Sequence, residues 1–147
     1  MQIKIKLLTN DEGCGNLIPT KNNSTDAGFD LKANQNATIG PGARLLVKCG
    51  FAIEIPIGFE GQVRPRSGLA IKHGITVLNS PGTIDAGYRG EVGVILYNTS
   101  ETPFDIHQYD RIAQLVIGEV RPIKLIVSDE LSDSERGDKG YGSSGVK

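Results

Sequence analysis

Glycine and proline divide this chain into short segments, and that division constrains the fold more than any other feature of the sequence. The 147 residues include 19 glycines and 7 prolines but no tryptophan. Between these residues, apolar and polar side chains alternate over short runs, as in residues 2–8 (QIKIKLL), which is typical of a half-buried strand. A chain of this length can bury a core without disulfide support. We therefore predict one domain of many short strands joined by tight turns.

The charge balance and the two cysteines exclude several classes of protein. The formal net charge of −1 is too even for a general binder of nucleic acid or membrane surfaces, so an anion site must be built locally. Cys14 and Cys49 show no metal-binding spacing, which argues against a zinc site and a disulfide framework. No charged and apolar leader precedes Gln2, and no apolar run approaches the roughly 20 residues of a membrane span. We expect a soluble, cytoplasmic protein with reduced thiols.

The same patterns predict the remaining elements. A single short helix is expected at residues 67–72, with Ser67 at its N-terminal end. We expect loops at residues 10–23, 99–103 and 128–135, and further strands at residues 24–33, 44–56 (interrupted near Gly50), 92–97, 110–120 and 123–127.

The stretch at residues 78–98 (LNSPGTIDAGYRGEVGVILYN) joins a carboxylate and an aromatic side chain to a glycine-rich loop. Backbone N–H and C=O groups in such a loop are available to a small polar molecule, with Asp85 and Tyr88 beside them. The alternative is an ordinary hairpin in which Asp85 starts a turn by accepting a hydrogen bond from a backbone N–H.

Two further stretches place polar groups in unusual positions. In residues 61–74, Arg66 and Ser67 come together at the start of the predicted helix, an arrangement that binds phosphate. The alternative is an N-capping serine beside solvated arginines. Gln114 interrupts the apolar run AQLVI, so its side chain is either satisfied by neighbouring backbone or faces a wet site.

The chain ends in a glycine-rich segment, residues 136–147 (RGDKGYGSSGVK), that has no apolar periodicity. Such a segment cannot build a core and is expected to be mobile without a ligand. It is either a disordered tail or a lid in which Arg136, Lys139, Ser143 and Ser144 grip phosphate while Tyr141 stacks on a planar ring. We therefore expect one domain over residues 1–135, with residues 136–147 as its mobile lid.

Five motifs, taken in order, resemble those of the trimeric deoxyuridine triphosphate nucleotidohydrolases (dUTPases). They are DAGFDL, RPRSGLA, LNSPGTIDAGYRGEV, DRIAQLV and RGDKGYGSSG, and together they span essentially the whole chain. The resemblance implies an all-β, jelly-roll-like β-barrel (the dUTPase-like β-clip) with one short helix and a flexible C-terminal tail. It also implies a homotrimer in which each active site is assembled from all three subunits.

The resemblance also implies a role for each motif residue. Asp85 would contact the sugar 3′-hydroxyl and deprotonate a water for attack on the α-phosphorus, while Tyr88 would leave no room for a 2′-hydroxyl. Asp30 would hold a water of a Mg²⁺ ion that is ligated mainly by the triphosphate, with no direct protein ligand. Tyr141 stands where the family usually has Phe, and stacking on uracil survives that change. The implied substrate-binding residues are Arg66, Ser67, Gly68, Asn79, Thr83, Ile84, Tyr88, Gln114, Arg136, Tyr141, Gly142, Ser143 and Ser144.

The function implied is Mg²⁺-dependent hydrolysis of dUTP to dUMP and pyrophosphate. That reaction would limit uracil incorporation into DNA and supply dUMP for dTMP synthesis, with no stable nucleic-acid or membrane binding. Two alternatives share the fold. One is a dCTP deaminase or bifunctional relative, and the other is a non-catalytic, nucleotide-sensing trimer.

Overall fold

A computed structural model of the chain describes residues 1–140, and almost all of its regular structure is β-strand. A short 3₁₀ turn (Cys14–Leu17) lies inside the predicted loop at residues 10–23. The other elements are β1 (Lys4–Leu7), β2 (Gly28–Lys32), β3 (Ala37–Ile39), β4 (Arg44–Glu54), β5 (Phe59–Arg64), α1 (Ser67–His73), β6 (Ile75–Val77), β7 (Gly82–Ile84), β8 (Glu91–Asn98), β9 (Phe104–Ile106) and β10 (Arg111–Glu119).

The strands form two four-stranded antiparallel sheets and one small sheet. The first sheet has the order β1-β4-β8-β6, and the second, which we call the site sheet, has the order β2-β10-β5-β7. The pair β3-β9 lies apart from both. The all-β, jelly-roll-like fold is therefore confirmed, but the sheets are not closed into a barrel. In residues 1–140, β1 and β2 remain edge strands, and an apolar groove of about 420 Å³ runs along residues of β1, β2 and β10.

The core lies between the two large sheets because each buries one face of its strands. In β8 every second residue is buried, and its partner β4 contributes the fully buried Phe51 and Val47. The site sheet supplies Leu31 and Leu115 to the same cluster. The alternation visible in the sequence thus decides which face of each strand is inside.

The expected interruption near Gly50 is a bulge in one strand of 11 residues, and β4 does not divide into two strands. Pairing with β8 shifts register between Lys48 and Ala52, and Gly50 has a φ of 74°. A side chain at Gly50 would meet Leu17 at 2.6 Å, so both backbone and packing require glycine there.

The hairpin alternative for residues 78–98 and the strand prediction for residues 123–127 are both wrong. Residues 78–98 do not form an ordinary hairpin, because β7 pairs with β5 in the site sheet while β8 pairs with β4 and β6 in the other. Residues 123–127 form no strand: they belong to a segment without regular secondary structure, residues 120–135, that we call the arm. The arm exposes apolar side chains that would be buried only against a partner, namely Ile123, Leu125, Ile126, Val127 and Leu131.

The predicted helix is confirmed as α1, which is one residue longer than expected and ends at Gly74 in the left-handed conformation. Within residues 1–140 there is no helix long and apolar enough to cross a membrane.

Candidate functional site

The predicted site residues fall into two groups that lie on the site sheet. The first, which we call the arginine cluster, consists of the predicted residues Asp30 and Arg66 together with Arg111, which was not predicted, and lies where β2 and β10 meet the start of α1. The second, which we call the aspartate loop, covers residues 79–90 and includes β7 and the turn that follows it.

Asp30 is the centre of the arginine cluster. Only 9% of this residue is exposed, and its two carboxylate oxygens each lie 3.3 Å from a guanidinium nitrogen, one of Arg66 and one of Arg111. Arg66 also donates to the backbone oxygen of Arg111 at 2.8 Å, and Arg111 donates to Asn22 at 3.1 Å. The cluster therefore carries a net charge of about +1 on a fixed frame, which suits an anionic ligand.

Ser67 lies beside this cluster as the first residue of α1. The N-cap residue is Arg66, and no side-chain capping hydrogen bond is present, so the interpretation of Ser67 as an N-cap is wrong. The interpretation of Arg66 as a solvated arginine is also wrong, because its guanidinium is held by Asp30 and by backbone. Ser67 and Gly68 are both exposed and border the cluster.

Gln114 lies directly opposite Asp30 in the pairing of β10 with β2. Its side-chain nitrogen donates to the backbone oxygen of Pro65 at 3.0 Å, so the neighbouring backbone satisfies that nitrogen. A side chain on Gly28 would overlap the Gln114 carboxamide. The glycine of DAGFDL therefore leaves the space that Gln114 fills next to Asp30.

Asp85 follows β7 directly and is exposed. Its backbone oxygen accepts the N–H of Tyr88 at 3.0 Å, which closes a turn over residues 85–88. Among residues 1–140 its carboxylate makes no hydrogen bond or ion pair, so both oxygens are open to water. The alternative in which this carboxylate caps a backbone N–H is therefore not what the structure contains.

The Tyr88 ring folds back over the loop. Its hydroxyl donates to the backbone oxygen of Glu91 at 2.8 Å, and 44% of the residue stays exposed. Arg89 donates to the backbone oxygens of Ala86 and Tyr88, which ties the turn together from the other side.

The remaining predicted residues of this loop line its other side. Asn79 is exposed and its side chain rests against Gly82, where a Cβ would lie 3.1 Å from the amide nitrogen. Thr83 is exposed and pairs with Gln62, while Ile84 is buried.

The two groups lie far apart within one chain. Three strand spacings separate β2 from β7, which is roughly 14 Å across the sheet. Asp85 follows the pair formed by Ile84 and Gly61, whereas Gln114 pairs with Arg64, so the groups are also offset by roughly 13 Å along the strands. One chain does not bring the Asp85 carboxylate to the arginine cluster.

The tail is placed only in part. Arg136 is exposed, and its guanidinium donates to the backbone oxygen of Lys139 at 3.0 Å, within its own turn. The predicted residues Tyr141, Gly142, Ser143 and Ser144 lie outside the described residues.

Sequence reasoning missed three residues that shape the site. Arg111 is the first residue of β10 and directly precedes its buried residues. A charged residue in that position could have indicated an ion pair with a carboxylate, which is Asp30. Glu91 accepts hydrogen bonds from Gly50 N at 3.0 Å and Asn34 at 3.1 Å, which anchors the end of the aspartate loop to the β4 bulge. Gly90, which seats Tyr88, gave no signal beyond its part in a turn-rich stretch.

The acidic and cysteine side chains do not build a metal site by themselves. Within residues 1–140, no group of three His, Cys, Asp or Glu side chains could hold a metal ion. Asp30 has lone pairs left to accept hydrogen bonds from a metal-bound water, but both of its oxygens already face guanidinium groups. The site fits a hard cation that is ligated by a phosphate ligand and by water.

Comparisons with known proteins find similarity over nearly the whole chain. A family model described as dUTPase matches residues 16–145. The deoxyuridine 5′-triphosphate nucleotidohydrolase of Nautilia profundicola is 51% identical over 145 residues, covering 99% of both chains. That of Beijerinckia indica is 50% identical over 148 residues, covering 98% of this chain and 91% of the relative. Among solved structures, Staphylococcus bacteriophage 80alpha dUTPase with dUPNHPP superposes with a TM-score of 0.89 at 31% identity, covering 99% of both chains.

Proposed function

The chain belongs to the dUTPase family and is a dUTP diphosphatase, and we propose that Asp85 is the general base of its reaction. In this mechanism the Asp85 carboxylate takes a proton from a water molecule, and that water attacks the α-phosphorus of dUTP. The bond to the bridging oxygen breaks, which releases dUMP and pyrophosphate.

The observation that carries this proposal is the open Asp85 carboxylate at the end of β7. It is exposed, and none of the described side chains neutralises it. A general base must lie within hydrogen-bond reach of the proton that it takes, and an unpaired carboxylate on a short turn next to a rigid strand can meet that requirement. The same carboxylate can contact the sugar 3′-hydroxyl.

The arginine cluster is the proposed phosphate site. Arg66 and the neighbouring Ser67 hydroxyl would bind the phosphate chain, with Gly68 and Gln114 beside them. Because Asp30 already holds Arg66 in place, little order has to be gained when the anion binds. Arg136 and the tail residues beyond it would close over the γ-phosphate.

Uracil and deoxyribose are assigned to the aspartate loop. Asn79, Thr83 and Ile84 would read the uracil edge through side chain and backbone, and Tyr88 would pack against the sugar where a 2′-hydroxyl would need room. Tyr141 would stack on the base.

Mg²⁺ is the proposed cofactor. When bound, the ion neutralises charge on the triphosphate, whose oxygens and water molecules would be its direct ligands. Asp30 is the residue placed to accept a hydrogen bond from such a water, although its main contacts are with the two arginines.

We also propose that the active sites are shared between copies of the chain. A base and phosphate donors that act on one phosphate chain must lie within reach of neighbouring oxygens. Within one chain, β7 and β2 are at opposite edges of the site sheet. Asp85 of one copy and the arginine cluster of another can meet where a single copy keeps them apart.

The arm supports an assembly of copies. Leu125 and Val127 are 92% and 100% exposed, an apolar surface that a single chain leaves uncovered. The groove beside β1 and β2 presents a matching apolar surface that includes Ile5, Phe29 and Ile117. We propose that the arm of one copy covers this groove of the next, and that the assembly is the homotrimer typical of the family.

Hydrolysis of dUTP would limit uracil incorporation into DNA and supply dUMP for dTMP synthesis. Of the two alternatives, deamination of dCTP is not favoured by the comparisons. The relatives are named as dUTP nucleotidohydrolases, and the matches cover nearly their full length. A purely nucleotide-sensing trimer would leave the open Asp85 carboxylate without a role.

The test is Asp85→Asn in the full chain, with pyrophosphate release as the readout. A general base contributes about 10²- to 10⁴-fold, so we expect kcat to fall by that factor while dUTP still binds. The matched control is Asp105→Asn, the same change on β9, which should keep the wild-type rate. Normal turnover by Asp85→Asn would rule out its role as the base.

A nucleotide panel tests the reaction itself. The wild-type chain should release pyrophosphate from dUTP with Mg²⁺, with little release from dTTP, dCTP or UTP and none in EDTA. Release of ammonia from dCTP would instead support the deaminase alternative, and binding of dUTP without turnover would support the sensing alternative.

A further inference from the structure

We propose that Gly90 is a specificity-determining residue, because its missing side chain, together with the Glu91 carbonyl, forms the seat that holds the Tyr88 ring. The inference rests on the proposed function, in which Tyr88 discriminates between deoxyribose and ribose. It assigns the origin of that discrimination to a residue that acts through the Tyr88 ring.

The first observation is the closeness of the ring to Gly90. A Cβ on Gly90 would lie 2.5 Å from the Tyr88 hydroxyl oxygen, 2.7 Å from Cζ and 3.0 Å from Cε2. Favourable contacts between such atoms are about 3.5–4.0 Å, so a methyl group at this position would push the ring away by about 1 Å.

The second observation is that the backbone does not explain this glycine. Gly90 does not have the positive φ that favours glycine, so its φ gives no reason for a glycine at this position. The obstacle to a side chain at Gly90 is therefore the Tyr88 ring, which occupies the space that a side chain would need.

The third observation is the tether at the end of the ring. The Tyr88 hydroxyl donates to the Glu91 backbone oxygen at 2.8 Å, and the Glu91 side chain is itself held by Gly50 N and Lys48. The ring thus lies on Gly90 with its hydroxyl fixed to a backbone that is anchored to β4. Without this seat, a ring on an exposed loop would sample several rotamers.

A fixed ring is what rejection of one hydroxyl group requires. A pocket that excludes an added hydroxyl by shape discriminates by about 10²-fold at most, and that limit is reached only if the wall does not move. A displacement of about 1 Å relaxes the wall and can cost a large part of the discrimination.

The experiment compares Gly90→Ala with Gly87→Ala in the full chain with Mg²⁺. Gly87 also lies in the aspartate loop, does not have a positive φ, and a Cβ there would meet nothing within 4 Å. The readout is the ratio of kcat/KM for dUTP to kcat/KM for UTP. We expect Gly90→Ala to lower this ratio about tenfold and Gly87→Ala to leave it within about twofold.

A double-mutant cycle separates the seat from a general loss of structure. Tyr88→Ala removes the ring, so adding Gly90→Ala to it should change the ratio no further. If Gly90→Ala lowers the ratio equally with and without the ring, or leaves it at the wild-type value, the proposed seat is refuted.

Tyr88→Phe keeps the test decisive if Gly90→Ala folds poorly. It retains the ring and loses the tether to Glu91, and we expect the ratio to fall several-fold with the melting temperature nearly unchanged. An unchanged ratio would refute the tether. Failure of the wild-type chain to hydrolyse dUTP would refute the proposed function instead, which is a distinguishable result.

Discussion

Replacing Asp30 by Asn tests whether this carboxylate serves mainly the two arginines or a metal-bound water. The substitution keeps the size of the side chain and removes its charge. Arg66 and Arg111 would then face each other without the anion that lies 3.3 Å from each of them, and the net charge of the arginine cluster would rise from about +1 to about +2.

The expected cost follows from burial. Exposed ion pairs contribute about 0–1 kcal/mol, and removing one partner of a fully buried pair costs about 3–5 kcal/mol. The Asp30 side chain is 12% exposed, while those of Arg66 and Arg111 are 28% and 45% exposed, so this cluster lies between the two limits. We expect a loss of about 2 kcal/mol in the free energy of unfolding, or about 4–8 °C in melting temperature for a chain of this size.

The assay is thermal unfolding in EDTA at one fixed protein concentration, because assembly of copies would make the midpoint depend on concentration. Glu101→Gln is the charge-matched control: Glu101 is exposed, and it makes no ion pair or side-chain hydrogen bond within residues 1–140. Its melting temperature should stay within about 1 °C of the wild type. If Asp30→Asn also melts within 1 °C of the wild type in EDTA and shows only a weakened response to Mg²⁺, the arginine-holding role is refuted.

Two other predictions concern the chain end and the core. Ending the chain after Glu135 should sharply reduce turnover but leave the fold and the oligomer, measured by sedimentation, unchanged. Removing the arm as well should reduce the oligomer to smaller species. Full-rate turnover by the variant that ends at Glu135 would contradict the proposal that the tail is a lid. Burial, and to a lesser extent the nearby Glu91 carboxylate, raise the pKa of Cys49 to about 12, so native protein at pH 8 should be alkylated at Cys14 and not at Cys49. Because the neutral thiol is favoured in the folded state, its stabilising contribution is complete below about pH 9 and is lost as the pH rises towards 12, which pH-dependent unfolding can measure.

The sequence predicts most strands here because alternation reports which face of a strand is buried, and that property is local. β8 and β10 begin and end within one residue of their predicted bounds, and α1 ends one residue beyond its predicted end, at His73. Pairing is not local, and the errors arise there. β7 and β8 read as a hairpin because a turn separates them, but each finds its partner in a different sheet.

The prediction of a strand at residues 123–127, within the arm, is wrong for a related reason. Residues 123–127 have the apolar content of a strand, but a strand needs a hydrogen-bonding partner, and residues 1–140 of one copy provide none. The exposed apolar side chains of the arm are consistent with its proposed packing against another copy of the chain. The contacts of Asp30 were likewise beyond prediction, because they join residues of three different elements, namely β2, β10 and the segment before α1.

The glycines show how composition can be correct about the fold and incomplete about the site. Abundant glycine indicates turns, and Gly50 and Gly74 do serve the backbone with positive φ. Gly28, Gly82 and Gly90 do not have a positive φ, and at each of them the space of a side chain is filled by a predicted site residue, namely Gln114, Asn79 and Tyr88 in that order. Because a side chain resting on backbone loses rotamer freedom before a ligand arrives, we infer that these glycines preorganise the proposed site in both groups of the site sheet. Alanine at any of the three should therefore weaken turnover or selectivity more than it weakens folding.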